Sequence, residues 1–120
     1  MVGELKHYRW SDLPSERMND ATMRRYITAD RVTVARFELK RGGHIPRHSH
    51  ENEQVSSVLS GALTFRIDGV ETTVRAGEVV QIPGWVEHEV DVLEDTLVID
   101  VFCPVRQDWI NKTDRYFTSS

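Results

Sequence analysis

Turn signals cut the chain from Arg31 to Cys103 into segments too short for ordinary helices. They are Gly42-Gly43, Gly61, Asp68-Gly69, Ala76-Gly77, Pro83-Gly84 and Glu94-Asp95. The runs between them have a strand's period of two. Val32, Val34 and Arg36 alternate with Thr33, Ala35 and Phe37. Further strand candidates cover 54–60, 62–67, 70–75, 78–82 and 96–102. Asp68-Gly69 is the sharpest break, because a two-residue turn needs positive φ at both central positions and these two residue types tolerate it. No amphipathic helix separates the segments, so the expected class is all-β, a small barrel or sandwich.

A length of 120 residues predicts one domain. Its expected parts are an N-terminal arm at 1–30, polar and broken, a barrel at 31–103, and a tail at 104–120 whose Trp109, Tyr116 and Phe117 pack across the barrel or fray. With 39% hydrophobic and 28% charged residues, the chain has globular composition rather than that of a disordered one. No apolar run approaches the ~20 residues of a membrane span, and the start shows neither an apolar run nor a cleavage site, so no secretory signal is expected. A net charge of −4 argues against a nucleic-acid groove. The lone cysteine, Cys103, excludes an internal disulfide and a cysteine zinc site. The expected setting is cytoplasmic, with no nucleic acid or membrane partner.

Among five histidines, His48 and His50 are two apart. In a strand that spacing puts both rings on one face, roughly 7 Å apart along the backbone. Gln54 follows where a strand begins, and Pro83-Gly84-Trp85-Val86-Glu87-His88 supplies a turn and another imidazole. Three imidazoles and one amide oxygen suit a first-row divalent cation and leave positions open for water or substrate. Glu53 is the alternative to Gln54, but a regular strand points it to the opposite face. His7 and His44 stand outside this pattern and read as surface residues.

Gly42-(five residues)-His48-Ser49-His50-(three residues)-Gln54-(six residues)-Gly61 resembles the first motif of the cupin family. Gly77-(five residues)-Pro83-Gly84-Trp85-Val86-Glu87-His88 resembles the second. Gln54 stands where the pattern usually has Glu, Trp85 where it has Gly, and Val92 where it closes on Asn. The resemblance implies a cupin double-stranded β-helix, a jelly-roll barrel, with a metal held by His48, His50, Gln54 and His88. A neutral amide in place of a carboxylate leaves the ion's full charge on the site, which favours Lewis-acid chemistry on an anionic substrate.

The run Leu97 to Cys103 is apolar except for Asp100. It reads as a strand covered on both faces, in which a carboxylate is costly unless paired. Val98, Asp100 and Phe102 share one face, so Asp100 is expected to aim into the barrel mouth near the metal. Arg106, at the strand's end, is placed to reach the same mouth and to hold a carboxylate bidentately. The opposite face, Leu97, Ile99 and Val101, needs cover of its own, which a second copy of the chain would supply; a homodimer is expected.

His48-Ser49-His50-Glu51-Asn52-Glu53-Gln54, Val58-Leu59-Ser60-Gly61 and Asp100-Val101-Phe102-Cys103-Pro104-Val105-Arg106-Gln107-Asp108-Trp109 together resemble a subgroup of small cupins in uronate breakdown. These linearise 4,5-unsaturated uronates released from pectin or alginate to a deoxy keto sugar acid. The resemblance implies a metal-dependent enzyme acting on an anionic sugar acid, with Asp100, Phe102 and Arg106 serving the substrate. The metal set accepts Zn, Ni, Fe, Mn or Co. Two other readings share the residues: a metal-dependent cupin dioxygenase, and a non-catalytic module that binds a sugar or metabolite.

Overall fold

The computed structural model describes residues 3–114; Tyr116 and Phe117 of the tail lie outside them. After a single 3₁₀ turn at Trp10–Asp12 come ten strands. They are β1 (Glu16–Asn19), β2 (Thr22–Thr28), β3 (Thr33–Leu39), β4 (His44–His48), β5 (Glu53–Ser60), β6 (Ala62–Ile67), β7 (Val70–Arg75), β8 (Val79–Ile82), β9 (His88–Val92) and β10 (Thr96–Cys103). A one-turn helix, α1 (Gln107–Ile110), follows. The class is all-β, as the turn pattern predicts. Asp68 and Gly69 have φ of 52° and 77° and join β6 to β7 as the expected tight turn.

The expected closed jelly-roll barrel does not form. The strands make two antiparallel sheets, β1-β2-β3-β10-β5-β8 and β4-β9-β6-β7. Among the described residues no ladder joins them. The outer strands β1 and β8 of one sheet, and β4 and β7 of the other, each have a ladder partner on one side only. Alternation dictates which side chains face inward, and both arrangements satisfy it; whether the edges pair is decided by ladders it does not encode. The sheets face each other through side chains instead. Phe37, Leu39, Val98 and Phe102 come from the first, and Leu63, Phe65, Val90 and Val92 from the second; all eight are buried.

β1 and β2 lie in the stretch that reads as polar and broken. For β2 the reason is Arg24. It points inward on β2 at 1% exposure, holding Glu16 at 3.2 Å and Asp114 at 3.0 Å. An inward arginine erases the apolar alternation that marks a strand. β10 is central, flanked by β3 and β5, and so carries its inward residues to the middle of the molecule.

Candidate metal centre

The three motif histidines arrive by different routes. His48 ends β4 and His88 begins β9, and the two are direct cross-strand partners in the antiparallel register. Their ring centroids lie 4.3 Å apart. His50 is not on a strand; it sits in the loop after β4, so strand periodicity is not what aligns it with His48. The Pro83–Trp85 turn holds that loop. The Trp85 N–H donates to the His50 carbonyl at 2.8 Å. Gly84 meets the loop so closely that a Cβ would lie 2.5 Å from the Glu51 carbonyl oxygen, so no other residue fits. The result is a cluster in which one nitrogen from each of His48, His50 and His88 lies within 4.8 Å of the others.

Each ring is oriented the same way. Nδ1 of His48 donates to the Pro46 carbonyl at 2.8 Å, that of His50 to Asn52 at 3.0 Å, and that of His88 to Val86 at 2.9 Å. A carbonyl accepts only, so Nδ1 carries the hydrogen and the Nε2 lone pair is the one offered. Burial, with the neighbouring His88, lowers the pKa of His48 to about 3; burial and the Arg106 cation lower that of His50 to about 4. Burial lowers His88 as well. All three rings are therefore neutral at physiological pH, the state in which imidazole binds metal.

Gln54 lies beside the three rings. It is buried on β5, and its Oε1 lies 3.1 Å from His50 Nε2. Its amide nitrogen is turned away and donates to Ser56 Oγ at 3.0 Å. Two lone pairs therefore face each other with no proton between them, a repulsion that a cation relieves. His88 Nε2 is also buried without a hydrogen-bond partner. These residues fit a divalent ion: the chain has a histidine-rich site capable of coordinating one. Glu53 is exposed and accepts from Gln81 Nε2 at 2.9 Å on the outer face. His44 is on the surface, with Nδ1 2.7 Å from Asp91 Oδ1.

A cavity of about 30 Å³ lies between the sheets beside the cluster, bordered by His48, Gln54, His88, Asp100, Phe102 and Arg106 and closed by Trp109. Asp100 projects from β10 into it. The carboxylate is buried, with Ser56 donating to it and Oδ1 without a partner. Burial raises its pKa to about 6, against the pull of the Ser56 hydroxyl and the Arg106 cation. Phe102 lies edge-on to the His50 ring, 5.6 Å between centroids.

Arg106 borders the same cavity at 1% exposure. Its fork is already engaged, with Nε and Nη2 on the two oxygens of Asp108 at 2.9 and 2.7 Å. Its guanidinium lies 4.7 Å from the Phe102 ring and 4.5 Å from that of Trp109. Ser56, Asp108, Trp109 and Asn52 also belong to the site, and the sequence assigns none of them a part in it; Trp109 does pack against the sheets as expected. Asn52 is buried and donates from Nδ2 to the Pro104 and Val105 carbonyls, tying the histidine loop to the segment that carries Arg106. Asn52, Asp108 and Trp109 stand inside runs that carry the resemblance, and Ser56 does not. On the outer side of His50 is a groove bordered by Glu51, Trp85 and Asp108.

The two motifs, the two-sheet fold and the neutral histidine cluster define a class, and the chain belongs to the cupin-domain family, whose model matches residues 35–102. It is 31% identical over 103 residues to the uncharacterised protein SCO3923 of Streptomyces coelicolor, covering 83% of this chain and 97% of that one. Among solved structures, it is similar to KdgF from Halomonas sp., with a TM-score of 0.81 and 23% identity over 87% of this chain and 99% of that one. An RmlC-like cupin from Shewanella frigidimarina gives a TM-score of 0.80 and 23% identity, over 88% and 96%.

Proposed function

We propose that this protein is a metal-dependent enzyme that opens the ring of 4,5-unsaturated uronates, giving a linear deoxy keto sugar acid. The observation that carries the reading is Asp100, a buried carboxyl with a pKa of about 6 that borders the same small cavity as the neutral histidine cluster. An acid poised there changes protonation state at little cost, as a proton shuttle must. The resemblance to uronate-linearising cupins names the substrate class, and the fold shared with KdgF supports it.

His48, His50, Gln54 and His88 would hold one Zn, Ni, Fe, Mn or Co ion, which when bound supplies Lewis acidity to a substrate oxygen. Asp100 takes the proton of the anomeric hydroxyl while the bond from that carbon to the ring oxygen breaks. The hydroxyl oxygen becomes an aldehyde, and the ring oxygen keeps the bonding electrons as an enolate. Asp100 then returns the proton to the far carbon of the double bond, and the enolate becomes a ketone. Product and substrate are isomers, so neither oxidant nor water is consumed. Phe102 walls the reacting atoms from water. Arg106 receives the substrate carboxylate by exchange for Asp108.

The test is anaerobic. Unsaturated monouronates made with a lyase are mixed with metal-loaded protein, and loss of the conjugated ultraviolet absorbance is followed. Acceleration that disappears in His48→Ala is expected. No acceleration by protein with metal confirmed in its site would reject the reading. Turnover that needs oxygen would move the protein to the dioxygenases, and saturable binding without product to the binding modules.

The same reading includes a homodimer through the outer face of the six-stranded sheet. There Leu97, Ile99 and Val101 are half-buried, and Leu59 and Val79 are exposed beside them. A monomer in light scattering at micromolar concentration would exclude it. Among the described residues no helix is long and apolar enough to cross a membrane. Cys103 is exposed and free, which suits the reducing cytoplasm proposed here.

A further inference from the structure

We propose that Ser56 is a positioning residue that makes Gln54 an oxygen donor to the metal. The proposal rests on the metal reading of Gln54 and not on the identity of the substrate. A carboxylate at this position presents oxygen whichever way it turns. An amide has one oxygen face and one N–H face, and the N–H face repels a cation. Something must therefore choose between two orientations of nearly identical shape.

Ser56 is fully buried on β5, directly opposite Asp100 of β10 in the antiparallel register. Its Oγ accepts from Gln54 Nε2 at 3.0 Å, which leaves its hydroxyl hydrogen for Asp100 across the strand pair, an interaction that draws the Asp100 pKa down against burial. The hydrogen bonds thus run one way, from Gln54 through Ser56 to Asp100. Turning the amide over would place its oxygen against Ser56. The hydroxyl would then have to rotate its hydrogen toward Gln54, and the buried Asp100 would lose that donor. An unsatisfied buried carboxylate is far costlier than an exchanged amide contact. Asp100, acting through one hydroxyl, therefore keeps the Gln54 oxygen facing the histidines.

A double-mutant comparison on the full chain isolates this role. The protein is stripped with a chelator and titrated with Ni²⁺ by calorimetry, with no substrate present. Ser56→Ala is expected to weaken Ni²⁺ binding roughly 10–100-fold, the range for an outer partner of a metal ligand. In a Gln54→Glu background the same change is expected to alter binding less than about threefold, because both faces of a carboxylate are oxygen. Ser56→Thr, which keeps the hydroxyl, is expected to bind as the parent does. If Ser56→Ala does not fold, Ser56→Cys, of similar size and a poor acceptor, carries the same expectation. Equal losses in the parent and in the Gln54→Glu background would make Ser56 merely structural and overturn the proposal, as would no loss in the parent. Failure of the parent to bind Ni²⁺ would overturn it together with the metal reading. Absent uronate turnover with the coupling intact would reject only the substrate.

Discussion

The two ends of the cavity are built in opposite ways. At the histidine end each ring is held by a backbone carbonyl two residues away, at Pro46, Asn52 or Val86. At the aspartate end, apart from the local Arg106–Asp108 pair, the partners are remote in sequence. Asp100 depends on Ser56 across a strand pair. The Arg106 N–H donates to Thr33 Oγ1, 73 residues away, and Asn52 reaches the Val105 carbonyl across 53. Arg24, stacked on Trp109, pairs with Asp114 across 90. Local geometry thus orients the histidine rings, while the tertiary fold sets the acid and, through Ser56, the Gln54 amide. A change of the acid that keeps an acceptor for Ser56 should leave the histidine end measurably intact.

The largest effect expected is on turnover. Asp100→Asn keeps size and removes the proton carrier, so uronate opening should fall about 10²–10⁴-fold. Metal content should stay near the parental level, because the rings are held locally and the asparagine oxygen still accepts from Ser56, so the Gln54 amide stays turned as in the parent. Elemental analysis beside the ultraviolet assay checks both halves. Loss of metal would show that the ends are not independent, and full activity would remove Asp100 from the chemistry.

Trp109→Ala attacks the remote end by packing. The ring is wholly buried against Tyr26, Phe37 and Phe102, with guanidinium groups at 4.2 and 4.5 Å from it. Truncating such a side chain costs about 3–5 kcal/mol. Urea unfolding should show that loss, while Ni²⁺ affinity of the folded fraction changes little. A loss under about 1 kcal/mol would mean that α1 rests on the sheets without stabilising them.

The same contrast explains what could be read from the sequence. β6 and β7 run as the alternation predicts, and the predicted strands for β3, β5, β8 and β10 shift by one or two residues at their ends. β4 and β9 are short and place histidines inward, so apolar periodicity misses them; β2 is hidden by Arg24. At the site, the motif spacing singles out His48, His50, Gln54 and His88, and the structure brings the four together. Ser56 has no such signal. A serine in a strand is ordinary, and its importance comes only from lying between Gln54 and Asp100. Trp109 sits on a single helical turn, too short to show a period.

Acid should separate the ends in the metal-free protein. His48 and His50, lowered to about 3 and 4, protonate in the unfolded chain first. Their contribution to stability is full above pH ~6.5 and is lost as pH falls through the folded values. Asp100, raised to about 6, works the other way. The folded state holds its proton where the unfolded chain does not, so its contribution is present at low pH and lost as pH rises through about 6. Three lowered histidines, His88 among them, against one raised aspartate leave a net loss of stability as pH falls from 6.5 to 4. Thermal melts across that range check the sign, and stability that rises on acidification would contradict the neutral-ring geometry. Asp100→Asn should steepen the fall by removing the opposing group.

The smallest effect concerns Trp85, where the family pattern has glycine. Its φ is 64°, a conformation that a side chain with a Cβ resists, and the ring is 71% exposed. Trp85→Gly keeps the N–H that holds the His50 carbonyl and removes the strain. Against this, glycine gains freedom in the unfolded chain. The balance should favour the variant by about 1 kcal/mol, a rise in Tm of roughly 3–5 °C for a chain this size. The ring also borders the outer groove beside His50 and Asp108. If it serves only as a turn residue, the variant is more stable and its KM for the uronate is unchanged. A higher KM in a more stabilised protein would show that the strain is retained because the indole meets the incoming sugar. That outcome would give the locally built end a part in substrate binding and narrow the contrast between the two ends.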